Sequence, residues 1–102
     1  MSYHDDLMAR ISAAKSCKDL EGCTDATASY SDLLSSLNTQ IANLTPLAIP
    51  PTTPAGVLIW AAKLCQQYTN QISAATSQIS SVSTQQSAAA AAIAAKAAEL
   101  EC

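Results

Sequence analysis

Residues 47–63 read LAIPPTTPAGVLIWAAK, a stretch that holds three of the four prolines, one of the two glycines and the only tryptophan. Proline lacks an amide donor and clashes with the preceding helical turn, so no regular helix runs through this segment. It either joins two independent domains or reverses the chain. The residues on each side decide between these. Before it, Leu20, Cys23, Thr27, Tyr30, Leu34, Leu37, Ile41 and Leu44 recur in alternating steps of three and four. After it, Leu58, Ala61, Cys65, Tyr68, Ile72, Ala75, Ile79, Val82, Gln86, Ala89, Ile93, Lys96 and Leu100 do the same. This spacing marks one face of a helix and the seam of a coiled coil. If the chain doubles back at the prolines, facing positions have residue numbers that sum to about 102. Leu44 then meets Leu58, Leu37 meets Cys65, Leu34 meets Tyr68, Tyr30 meets Ile72 and Leu20 meets Val82. Apolar meets apolar throughout, which an interdomain linker would not produce.

The first segment starts with a capping pattern, Ser2 followed by Asp5, and shows its own apolar face at Leu7, Ile11 and Ala14. That face lies about 120–140° around a helix from the stripe of the next segment, at 100° per residue. A kink or short loop near Gly22 reconciles the two, with Thr24 and Asp25 as a fresh start. Thr53 and Pro54 suit the cap and first position of the last helix. The expected fold is all-α, a single helical domain over residues 1–102. It is a long antiparallel, coiled-coil-like hairpin with a break near residue 22, and a three-helix arrangement is the variant in which the first segment folds across. The elements are expected at about 3–21, 24–45, a proline-rich turn at 46–53 and a long helix at about 54–101.

Composition bounds the function. The chain has 102 residues and no phenylalanine, and aromatics make up 4%. Large core-fillers are too scarce for a compact enzyme fold. The net charge is -3, and between Asp32 and Lys96 the only charged residue is Lys63. No basic patch is available to neutralise phosphates, so nucleic acid is not an expected partner. A long neutral surface of Ser, Thr, Gln and Ala suits contact with other protein. The run Ala88–Ala92 would let another helix approach closely. No stretch is apolar enough to span a membrane, and the acidic start MSYHDD lacks the basic region of a Sec signal.

The tip is richer in apolar residues than one helix face requires. Val57, Leu58, Ile59 and Trp60 are consecutive and cover every side, and Leu47 and Ile49 add to them. Either Leu47 and Ile49 fold back over Trp60 as a local cap, or Leu47, Ile49, Val57, Ile59 and Trp60 form an exposed docking patch. Membrane contact at the tip is a third reading, for which only Lys63 supplies basic charge.

No residue pattern points to catalysis, a cofactor or a metal. His4 reads as a solvated helix terminus. Among the four cysteines, Cys17 and Cys23 could close a small disulfide loop only across a break at Gly22; otherwise both are free thiols. Cys65 reads as a buried apolar thiol. Cys102 could join chains in an oxidising setting.

The opening MSY, the PPTTPAGV before the last helix and the Ala/Ser/Gln bias resemble the small helical hairpins of type VII secretion, the W-x-G proteins and PE domains. That resemblance implies an exported hairpin working with a partner. Two departures stand out: Ala62 occupies the glycine position after Trp60, and Ile72 occupies the acidic position four residues after Tyr68. The reading from the residues is a non-enzymatic structural or interaction protein, a self-associating or docked subunit of a virion, filament or secretion apparatus. The alternative is a small secreted hairpin partner or effector carrier.

Overall fold

In the computed structural model, residues 2–49 and 55–102 are described, with the side chains of 55–58 set aside. The fold is all-α: α1 (Tyr3–Ala13), α2 (Cys17–Ala26), α3 (Ala28–Leu44), a 3-10 turn (Thr45–Ala48) and α4 (Ala55–Glu99). The cap at Thr53, the proline at Pro54 and the expected turn at 50–53 lie outside the described residues, as do the side chains of Val57 and Leu58.

The chain forms two compact units, one of Met1–Leu33 with Ser81–Cys102 and one of Leu34–Ser80. The first unit is a three-helix arrangement. Ser2 caps α1 by accepting the Asp5 amide at 3.2 Å, and Leu7, Ile11 and Ala14 are buried. The break expected near residue 22 falls earlier, at Ala14–Ser16, where Ala14 and Ser16 are both extended. The cause is a second capping arrangement. Ser16 Oγ accepts the Asp19 amide at 3.2 Å, and the Asp19 carboxylate accepts the Lys15 amide at 3.0 Å. Together they satisfy amides that would otherwise be orphaned at the start of α2.

Gly22 therefore sits inside α2 instead of ending a helix. Its missing side chain leaves room for α1: a Cβ there would stand 3.3 Å from the Arg10 guanidinium. A second, slighter interruption follows at Thr27. Its amide is shared between the Cys23 and Thr24 carbonyls at 3.2 and 3.1 Å, and its hydroxyl donates to Thr24 at 2.6 Å. Such back-bonding competes with the regular helical ladder, and α2 and α3 meet here.

The last part of α4 lies antiparallel to α2 and the start of α3. Gln86 donates to Ser31 at 3.2 Å, and Cys17 is disulfide-bonded to Cys102. These two ties displace the expected register by about fifteen residues, roughly four helical turns. Leu20 accordingly shares a cleft with Ile93 and Ala97. Val82 lies at least eleven residues back along α4, about 16 Å at 1.5 Å per residue.

The second unit contains the start of the connector that follows α3. After Leu44 the chain does not reverse tightly. It continues as the 3-10 turn and an extended Ile49, and the Cys65 thiol donates to the carbonyls of Leu47 and Ile49 at 3.6 and 3.2 Å. The Cys65 thiol, on the residue expected opposite Leu37, is thus bonded to the connector. A 3-10 or extended residue advances about 2.0–3.3 Å, against 1.5 Å in an α-helix.

In both units the residues at three-four spacing are the shielded ones. Leu20, Cys23, Tyr30 and Leu37 are buried on α2 and α3, and Ala75, Val82 and Ala89 on α4. Leu34, Ile41, Leu44, Cys65, Tyr68, Ile72 and Ile79 are half-buried.

Candidate interaction surface

The tip of the second unit is where apolar surface and solvent meet. Leu47 and Ile49 are 51% and 67% exposed, and Ile59 and Trp60 are 64% and 67% exposed. The local cap that would bring Leu47 and Ile49 over Trp60 does not form. The connector lies against the Cys65 face of α4, where the two carbonyls collect the thiol hydrogen. Ile59 and Trp60 lie about 120–140° around the helix from Cys65. A chain seated on the Cys65 face cannot cover them. Val57, the fifth residue of the expected patch, lies outside the described side chains.

Leu47 with Ile49 and Ile59 with Trp60 are thus two pairs of large apolar groups left open to solvent. Tryptophan supplies much contact area at small entropic cost and is enriched where binding energy concentrates. The nearby charge is Lys63, so nothing sets a strong electrostatic preference.

In the first unit the aromatic groups cluster instead. Tyr30 is buried, and its hydroxyl lies 2.7 Å from His4 Nδ1. Tyr3 packs edge-on against Tyr30, with ring centroids 5.7 Å apart, and donates its hydroxyl to the Ala26 carbonyl. Burial pushes the Tyr30 phenol up from its ordinary value, and the Tyr3 hydroxyl adds to this. His4 is thus half-buried and bonded, not the solvated terminus the sequence suggests. The spacing of His4 and Tyr30 carries no local signal, because α1 must first fold across α2 to bring them together.

A cleft of about 510 Å³ opens beside α2 and the end of α4. Leu20, Ile93 and Ala97 form its apolar lining, Glu21 and Asp25 add carboxylates, and the Cys17–Cys102 bridge closes one side. The small loop considered between Cys17 and Cys23 does not exist: Cys17 bonds to Cys102, and Cys23 is a buried free thiol. Inside α2 the two residues are six apart and face different sides. Among the described residues no group of three or more His, Cys, Asp or Glu is placed to hold a metal ion. No helix among them is long and apolar enough to cross a membrane. Neither a protein-family model, nor a curated protein, nor a solved structure matches this chain.

Proposed function

We propose that this chain is a non-enzymatic helical subunit that acts by docking, either on further copies of itself or on other subunits of a larger assembly. The observation that carries the reading is the exposure of two pairs of large apolar residues, Leu47 and Ile49 on the connector and Ile59 and Trp60 on α4. Burying that surface is the gain a partner would supply, at about 25 cal/mol per Å² of apolar area. The neutral stretch between Asp32 and Lys96 supports the same reading, since it opposes close protein contact with little charge to desolvate.

Light scattering on the purified protein over a wide concentration range tests this, alongside an Ile59→Ser, Trp60→Ser double variant. Mass should rise with concentration for the parent chain, or a partner should be needed for the mass to rise. The double variant should stay monomeric. A parent chain that stays monomeric at high concentration and loses no binding partner on substitution sinks the proposal.

A second reading, a secreted helical partner, draws on the Cys17–Cys102 bridge. Disulfides persist in oxidising compartments. Thiol labelling of the protein recovered from medium and from lysate separates the two: the secreted reading expects the bridged form outside the cell.

A further inference from the structure

We infer that the Cys17–Cys102 bridge is a redox-sensitive clasp that holds the end of α4 on α2 and closes one side of the cleft between them. Three observations converge on it. Both cysteines are exposed, so a reductant reaches the bond directly. The non-covalent contacts of this part of α4 come from small or partly shielded groups: Ala89 is buried, and Ala92, Ile93, Lys96, Ala97 and Leu100 are half-buried. Lys96 pairs with Glu99 of the same helix, at 3.4 Å, and not across to α2.

The third observation is the way the helix ends. The Cys102 amide donates to the Ala97 carbonyl at 2.8 Å and the Glu101 amide to the Ala98 carbonyl at 3.3 Å. This is a Schellman cap, whose left-handed position glycine normally fills. Here Glu101 fills it, at φ 60°. A side chain in that conformation is strained. The reversal it creates turns Cys102 towards Cys17, so the bond and the strained cap support each other. When one is released, little holds the other.

The chemistry is thiol–disulfide exchange with a dithiol reductant. One thiolate of the dithiol attacks a sulfur of the bridge, breaking the Sγ–Sγ bond and forming a mixed disulfide. Its second thiol resolves that intermediate. The dithiol leaves as a disulfide, and its two protons and two electrons remain as the thiols of Cys17 and Cys102. Glu101 is then free to leave the left-handed region. The last turns of α4 loosen, and the cleft lined by Leu20, Ile93 and Ala97 loses its closed side. The buried Cys23 and the thiol of Cys65 take no part.

Hydrogen exchange read by mass spectrometry tests this on the full chain, with Cys23→Ser and Cys65→Ser substituted to prevent thiol shuffling. Reduction with dithiothreitol should speed exchange at least tenfold in peptides covering 90–102. Peptides within 34–80 should be unchanged, and oxidised glutathione should restore protection. A Cys102→Ser variant should show the loosened pattern without reductant. Equal protection of 90–102 in the two redox states overturns the inference. So does a chain in which Cys17 and Cys102 are both alkylated before any reduction, after isolation from an oxidising compartment.

Discussion

Cys17 and Cys102 are 85 residues apart in sequence, and their bond ties the start of α2 to the residues just after α4. In the chain-entropy account, closing a loop of that length stabilises the folded state by on the order of 4 kcal/mol, by restricting the unfolded chain. Cys17→Ser should therefore lower the melting temperature strongly, and calorimetry under oxidising conditions reads it. Cys17→Ser and Cys102→Ser together should cost no more than either alone, since both remove one bond. At Tyr30 the test is pH. Its phenol is held above the ordinary tyrosine value by burial first and by Tyr3 second. The folded chain thus keeps a proton that the unfolded chain releases. The resulting stability is fully present below the unfolded tyrosine pKa, about 10, and is lost as pH rises towards the folded value. Melting curves through the alkaline range should fall for the parent chain and fall less for Tyr30→Phe. Below that range Tyr30→Phe should cost about 1 kcal/mol, for the lost bond to His4.

Among the elements, α1 and α2 respond most informatively. Leu7 is one of the largest fully buried side chains. Leu7→Ala should cost about 2–5 kcal/mol, the range for emptying a buried leucine site, and denaturant unfolding measures it. Gly22 predicts the opposite sign. It lies in the interior of α2, and the group a new Cβ would meet is the mobile end of Arg10. Gly22→Ala should stabilise the chain by up to about 1 kcal/mol, because alanine loses less backbone freedom on entering a helix. A loss of stability there would mean that Arg10 cannot yield. The start of α2 was also legible in the sequence. Ser16 followed by Asp19 repeats the spacing of Ser2 and Asp5, the pattern that correctly marks the start of α1. Gly22 drew attention away from it, since a glycine after an apolar stripe often ends a helix. A glycine inside a helix can instead serve close packing, and nothing local in the sequence distinguishes the two.

On the scale of the whole molecule, the sparse charge between Asp32 and Lys96 predicts how association responds to salt. Contacts built on ion pairs weaken as salt rises, whereas burial of apolar surface does not. If docking works through Leu47, Ile49, Ile59 and Trp60, the association constant should hold or rise from low to molar salt. Titration calorimetry should find a negative heat-capacity change. A steep fall with salt would move the interface away from this patch.

Sequence by itself determined that the chain is helical, which residues make the apolar stripes, and where α1 begins. These follow from local chemistry: a three-four rhythm, a hydroxyl placed three residues before a carboxylate, and the absence of donors at proline. It also singled out Ile59 and Trp60 as more apolar surface than one helix face can hide. Only the tertiary structure decided the register, the cysteine partner of Cys17 and the bond between His4 and Tyr30. Two stripes with a three-four repeat can slide past one another by whole turns and still match apolar to apolar. Nothing in the spacing of either stripe selects one offset over another; in the first unit the Gln86–Ser31 bond and the Cys17–Cys102 bridge show which one is taken. With the register shifted, Cys102 reaches Cys17, and the last turns of α4 come to lie along α2.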